Sequence, residues 1–431
     1  MTAFYLVFSL MFCLWNITGR EDIPVVMCMY YIASVALLMV AGLLLHIIWR
    51  KKRYIRLGLL SALVLLQVGA AISYRMNWSE NAEADRLAAG QTVIHYSYQF
   101  LKDAAVLLVF FAGIYLLFRY TSLYRKKIVN YIILLLLPSA LFAARIQGKA
   151  TGGAYITFFG IIILGIALLG YPFAAAYFLS HPERKYLFRS VNSLPMNLVL
   201  LLTYTGVLFL GCVFCNEFGT LLILGTVCSL LFFFYGRNWK TKVIFTTAGL
   251  TVTLVACITI QHIQDRVRIW IDPLAAENVE GLEAKAQSVL YLFQTVHRSG
   301  FWGNGVGTLS RSIYPTMNTD HTTVTVLHEY GLVVAAGIIG LICVLLAWFL
   351  RSKTQDRSYE FILNLAMAME FGCVVLLHLA GNLGSFLTAG VGMPFVSDGI
   401  SVNAMWVALL AIHCAIYDKG EVKNAISKKK S

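Results

Sequence analysis

Charge is what this sequence has least of. Asp, Glu, Lys and Arg make up 13% of its 431 residues, against roughly 25% in an ordinary soluble domain. That scarcity excludes a chain folded behind a fully water-facing surface. A cleavable signal is also missing: the first apolar run, at Phe4, has no basic segment before it and no small-x-small site after it, so it reads as a retained first span. No tandem repeat and no low-complexity tract occurs apart from a lysine tail. Cys212 and Cys215 form a CxxC with no second pair to complete a metal site, and Cys13, Cys28, Cys228, Cys257, Cys343, Cys373 and Cys414 lie in apolar runs. They read as small packing residues.

Hydrophobic residues make up 59% of the chain. Several apolar runs, such as 25–49 and 153–178, reach the roughly 20 residues that a helix needs to cross a bilayer. The expectation is an all-α polytopic membrane protein of about twelve spans, near 3–18, 25–49, 57–74, 102–118, 128–146, 153–179, 195–215, 218–236, 243–262, 321–350, 361–380 and 399–417. These spans are almost free of charge, and the acids gather at their ends. The net charge of +13 does not point to nucleic acid, because Lys and Arg fall in short clusters between the runs. Of 34 basic residues, 23 lie on the side of the C-terminal tail, which makes that side cytoplasmic and places both termini there.

That topology leaves 261–320 as a large extracytoplasmic loop before the tenth span. It shows no obvious strand or long-helix pattern, yet Trp270, Tyr291, Phe293, Phe301, Trp302 and Tyr314 give it apolar anchors, which argues against disorder. The chain divides into six N-terminal helices (1–190), a second membrane core (191–420) that includes this loop, and a basic tail (421–431).

Four outer segments could carry chemistry, and each also has a plain reading. Glu217, in Asn216-Glu217-Phe218-Gly219-Thr220, is a carboxylate at a helix connection, either solvated or facing a cavity. Arg266 and Arg268 are either a bidentate clamp for pyrophosphate or headgroup anchors beside Trp270. The glycines of Arg298 to Gly307 allow close backbone approach but are common in loops. Asp320 is either an N-cap or a general base at the rim of a cleft. Glu329, two to three turns deeper, falls at membrane depth, where a lone acid normally lines a polar cavity.

In this order the segments resemble the SEDS family of polytopic peptidoglycan polymerases, which includes RodA, FtsW and SpoVE. The family's PDLGT stands here as NEFGT ending at Thr220. Its Arg before an LDP turn, its QS pair, its glycine run and its PEAHTDF appear as RVRIWIDP, Gln287-Ser288, SGFWGNGVG and PTMNTDH. EELGL corresponds to His328-Glu329-Tyr330-Gly331-Leu332, NIG to Asn382-Leu383-Gly384, and MPFVSYGGSS to MPFVSDGIS over Met393–Ser401. The match covers roughly Leu194 to Tyr417, and no motif is placed before it. Asn318 stands for the family's His, Thr316 for its Glu, Glu217 for its Asp and Asp398 for its Tyr, while the aspartate is retained as Asp320.

The resemblance implies an inverting glycosyltransferase that polymerises lipid II, an undecaprenyl-pyrophosphate-linked disaccharide, in division, elongation or sporulation. Asp320 is the implied catalytic base. Arg266, Arg268, Glu217, Gln287, Asn318, Glu329 and Ser397 are the implied substrate-binding residues, with a divalent cation (Mg or Mn) as a possible cofactor. It further implies a bacterial plasma-membrane location, about ten spans in the family against twelve here, and a class B penicillin-binding transpeptidase as partner beside membrane lipids. Three other readings stand beside it: an O-antigen ligase or polymerase, a flippase of lipid-linked precursor, and an inactive scaffold for a transpeptidase.

Overall fold

The computed structural model describes residues 1–18, 23, 25–76, 93–147, 163–180, 196–215, 217–235, 261–309, 317–351 and 358–430, with isolated positions between 150 and 162 and between 239 and 258. In chain order the helices are α1 (Thr2–Thr18), α2 (Val25–Ile48), α3 (Arg53–Met76), α4 (Val93–Tyr120), a 3-10 turn at Leu123–Arg125, α5 (Lys127–Gln147), α6 (Ile163–Ser180), α7 (Met196–Phe214) and α8 (Phe218–Tyr235). There follow α9 (Gln261–Ile271), α10 (Pro273–Ala276), α11 (Glu283–Arg298), α12 (Thr322–Leu350), α13 (Tyr359–Asn382) and α14 (Ile400–Lys430). Lipid offers the backbone no hydrogen-bond partners, so long apolar runs satisfy themselves as helices.

Among the described residues nine helices are long and apolar enough to cross a membrane, and two shorter apolar ones, Thr2–Thr18 and Gly165–Ser180, fall at the first and sixth expected spans. The protein is a multi-pass membrane protein. The ninth expected span, 243–262, lies largely outside the described residues. Side chains such as Phe4, Val109, Leu135 and Leu376 stand at least two-thirds exposed, as lipid-facing positions do.

Contacts divide the chain into two units: 1–112 with 272–348 and 377–407, and 113–271 with 349–376 and 408–431. In the first unit Tyr5, Leu38, Leu60, Leu63 and Ala104 form a core cluster. A buried polar thread keeps it in register: Tyr5 Oη donates to Leu38 O (2.8 Å), Gln67 Nε2 donates to Tyr5 Oη (3.0 Å), and Ser9 Oγ donates to Gln67 Oε1 (2.7 Å). In the second unit Arg119 bridges Asp418 at 2.9 Å, and Arg125 bridges Glu360, which also accepts from Tyr124 Oη at 3.1 Å.

Three expectations change. The loop 261–320 is largely helical, since α9, α10 and α11 occupy most of its described length. Its helical segments are short and amphipathic, so they lack the long apolar signature of the spans. The span expected from residue 153 is helical only from Ile163. Before it, Ala150–Thr151 pairs antiparallel with Ala154–Tyr155, and Thr157–Phe158 with Ile161–Ile162, in a stretch whose glycines and β-branched residues disfavour helix. Finally, the acids do not all gather at the ends of the spans: Glu370, in the middle of α13, is wholly buried at 0% exposure.

Candidate functional site

Asp320 ends a turn, 317–320, that runs into α12. The first helical bonds of α12 go to His321, whose carbonyl accepts from Val324 N–H (3.0 Å) and Thr325 N–H (3.2 Å). Asp320 therefore precedes the cap instead of forming it, as the N-cap reading had it. Threonine hydroxyls close the turn: Thr322 Oγ1 donates to Thr319 O at 2.9 Å and Thr325 Oγ1 to Met317 O at 2.8 Å. Such local side-chain bonds compensate backbone groups that the incoming chain leaves open. Met317 and Asn318 are buried, whereas Asp320 stays partly exposed.

The MPFVS segment holds this turn from the other side. Ser397 Oγ accepts from Met393 N–H (2.7 Å), donates to Thr319 O (2.5 Å) and lies 2.7 Å from Thr322 Oγ1. Asp398 N–H donates to Asn318 O at 2.7 Å, and Asn318 Nδ2 donates back to Asp398 Oδ2 at 3.0 Å. Phe395, fully buried, sits at φ 65°, a left-handed conformation that costs on the order of 1–3 kcal/mol for a bulky residue and persists only where the surroundings impose it. Gly69 of α3 makes room for the segment, since a Cβ there would lie 2.5 Å from Val396 O.

From α13 come two further grips: Asn382, which the sequence reading placed in the Asn382-Leu383-Gly384 string without a role, and His378, which it did not single out. Asn382 Nδ2 donates to Asp320 O at 2.9 Å. His378 Nδ1 lies 2.7 Å from Val391 O and its Nε2 2.9 Å from Thr323 Oγ1. A carbonyl can only accept, so Nδ1 carries the proton and Nε2 accepts from the threonine. Polar residues four apart on one face of an apolar helix were the available signal. Next to the aspartate, burial first and then the neighbouring His378 push the His321 imidazole down to about 4, so it is neutral at physiological pH and places no cation beside Asp320.

Glu329 is fully buried, and the backbone on either side of it holds the glycine loop. Asn304 N–H donates to His328 O at 2.7 Å and Val333 N–H to Phe301 O at 3.4 Å, around a break in α12 at Gly331 (φ 82°, ψ 178°). The glycine run thus serves close approach to a broken helix. Beyond the break, 332–350 rises roughly 28 Å at 1.5 Å per residue, close to the roughly 30 Å of a hydrocarbon core. The polar start of α12 is thereby freed from spanning.

The other candidates are described by their own elements. Gln287 is exposed on α11 and donates to Glu277 Oε1 at 3.0 Å. Glu217 leads into α8 and accepts from Thr220 Oγ1 at 3.3 Å. Arg266, half-buried, and Arg268, exposed, lie on α9. Residues two apart on a helix point to different sides, so they do not form one two-pronged clamp. Cys215 donates to Leu141 O at 3.2 Å, and burial, followed by the charge of Glu217, raises its thiol above the ordinary range. That is the environment of an inert packing cysteine.

With this geometry in view, a family model described as cell cycle protein, covering FtsW, RodA and SpoVE, matches residues 82–420. The chain is 23% identical over 190 residues to the probable peptidoglycan glycosyltransferase FtsW of Coxiella burnetii, covering 42% of this chain and 50% of that protein. It is 27% identical over 203 residues to the peptidoglycan glycosyltransferase RodA of Mycobacterium tuberculosis, covering 46% and 42%. The chain spans about half the length of the curated relatives it matches. Its fold is similar to a chain of a peptidoglycan synthase complex described as coordinating polymerization and crosslinking, with a TM-score of 0.62 at 18% identity over 83% of this chain and 97% of that one. A mutant of the rod shape determining protein RodA of Thermus thermophilus gives 0.53 at 15% identity, over 84% and 96%. At such identities these structures speak for the fold alone.

Proposed function

The chain belongs to the FtsW, RodA and SpoVE family of cell cycle proteins, and from that premise we propose that it is an inverting glycosyltransferase that polymerises lipid II into glycan strands. The observation that carries this reading is the Asp320 turn, whose backbone is held by Ser397 at Thr319 and by Asn382 at Asp320 itself while the carboxylate stays at a partly exposed position. A general base needs that combination of fixed backbone and reachable carboxylate. In the step proposed, the sugar hydroxyl of one lipid-linked unit attacks the anomeric carbon of the glycan held on undecaprenyl pyrophosphate. The hydroxyl proton passes to Asp320, the new glycosidic bond forms with inversion, and the anomeric C–O bond breaks to release the pyrophosphate.

Purified protein in liposomes, supplied with lipid II with and without a class B transpeptidase, tests the reading. Glycan polymer is the expected product, and its absence under both conditions would overturn the activity. The transpeptidase is the partner we propose because the similar synthase complex couples polymerization with crosslinking. One observation favours a second reading, transport of the lipid-linked precursor: Glu370 lies buried at membrane depth, where acids often serve transport. Lipid II that crosses the same liposomes without polymer formation would select that reading.

The leaving pyrophosphate is assigned to one of the pair Arg266 and Arg268, whose guanidinium groups match oxyanions better than an ammonium does. Because α9 turns them to different sides, single Lys substitutions are expected to differ. One should raise the lipid II concentration needed for half-maximal rate, and the other should leave it unchanged. Identical wild-type kinetics in both variants would return the pair to headgroup anchoring.

The membrane orientation, with both termini cytoplasmic and 261–320 outside, rests on the 23 of 34 basic residues on the tail side. A Ser299→Cys protein is expected to react with an impermeant maleimide on intact cells. Labelling that requires broken cells would reverse the topology.

A further inference from the structure

Beside the Asp320 turn, within the first unit, lies a cavity of about 70 Å³ whose lining includes Ser34, Ser73, Asp103, Asp398 and Asn403. One water needs roughly 10–15 Å³ of such space, so it has room for an ion with several waters. Its polar groups are out of balance. Asp103 Oδ1 is buried and receives no hydrogen bond from the described residues. Asn403, 9% exposed, spends its Nδ2 on Ser397 O at 2.9 Å, which leaves Oδ1 with no donor. Just behind, Asn318 gives its Nδ2 to Asp398 and its Oδ1 also finds no donor. Asp398 accepts from Gly399 N–H at 2.9 Å on its other oxygen, and the charges of Asp103 and Asp398 act on each other, with Lys102 opposing. Asp103 Oδ1 and Asn403 Oδ1 thus meet the Asp398 carboxylate in one small space with no donor of their own among the described residues. Buried acceptors left in that state are costly, charged ones most of all.

We propose that this cavity binds a hard divalent cation, Mg²⁺ or Mn²⁺, through the carboxylates of Asp103 and Asp398 and the amide oxygen of Asn403. An oxygen-only donor set excludes the soft-metal alternatives, which call for thiolate or imidazole. Among the described residues no cluster of three or more His, Cys, Asp or Glu occurs, so water completes the shell. Mg²⁺ characteristically binds through one or two carboxylates and keeps its waters. The family string carries Tyr where Asp398 stands, so half of the negative charge is particular to this chain. The inference goes beyond the polymerase reading and does not depend on it, because it concerns binding by the protein alone.

The test uses the full chain in nanodiscs, stripped with EDTA and titrated with Mn²⁺ while the electron paramagnetic resonance signal of free Mn²⁺ is followed. One site that Mg²⁺ displaces is expected. Asp398→Asn and Asp103→Asn, each checked for wild-type elution and melting in EDTA, should bind at least about tenfold more weakly, the lower end of what even an outer-shell partner costs. Asp320→Asn should bind as the wild type does, which separates this site from the proposed base. Absence of Mn²⁺ binding to the wild type, or unchanged binding in whichever of the two variants folds, overturns the proposal. So does stabilisation by acid without any response to metal, which would mean that the two carboxylates share a proton.

Discussion

Asp320→Asn is expected to abolish glycan synthesis in liposomes while leaving the protein as stable as the wild type. The two outcomes separate because other side chains hold the backbone of the turn. The Asp320 carbonyl is held by Asn382 Nδ2, Thr319 O by Ser397 and Thr322, and the helix starts at His321. Asn keeps the size and the polarity, and even at a true cap it would cost well under the roughly 1 kcal/mol of losing one. What Asn cannot do is take a proton, a contribution worth about a hundredfold to ten-thousandfold in rate. Asp320→Ala should behave like Asp320→Asn in activity. A turn residue of purely structural value predicts the opposite pattern, with Asn tolerated and Ala harmful. Normal polymer formation by a well-folded Asp320→Asn protein would eliminate the mechanism.

Helices were the most legible feature because lipid demands long apolar stretches, a coarse pattern that survives sequence divergence. Their interruptions were not legible. The run 321–350 reads as one span, and nothing in Glu329-Tyr330-Gly331 announces that Gly331 leaves helical geometry, because the cause lies in the loop packed against it. The arginine pair was misjudged for a related reason: in an extended segment residues two apart share a face, whereas on α9 they do not. Motif strings linked MPFVS to the aspartate through the resemblance. The grip from His378 was hidden inside an apolar run, where a single polar residue looks incidental, while Asn382 stood in a matched string that said nothing of its partner. Glu370 escaped as His378 did. The family match from residue 82 onward also covers helices in which no short motif could be placed, since membrane helices retain composition and packing more than they retain strings.

Gly331→Ala and Gly303→Ala are each expected to deny the protein a stably docked glycine loop, with loss of most monodisperse material in detergent and a lowered melting temperature in what remains. The two glycines face each other, backbone against backbone. A Cβ on Gly331 would lie 2.3 Å from Gly303 N and 2.5 Å from Phe301 O, and one on Gly303 would lie 2.4 Å from Glu329 O and 2.6 Å from Gly331 N. No rotamer change relieves a clash with main chain. Both positions also have positive φ, 82° and 77°, and the combination at Gly331 (φ 82°, ψ 178°) is open to glycine almost alone. The cost therefore exceeds the roughly 1–3 kcal/mol of backbone strain by itself. Gly300→Ala is the control, because its Cβ would come no closer than 3.8 Å to any neighbour, so it should express and melt like the wild type. If Gly331→Ala were equally well behaved, the docking of the glycine loop onto the break in α12 would be wrong, and with it the account of how the segment around the buried Glu329 is held against that loop.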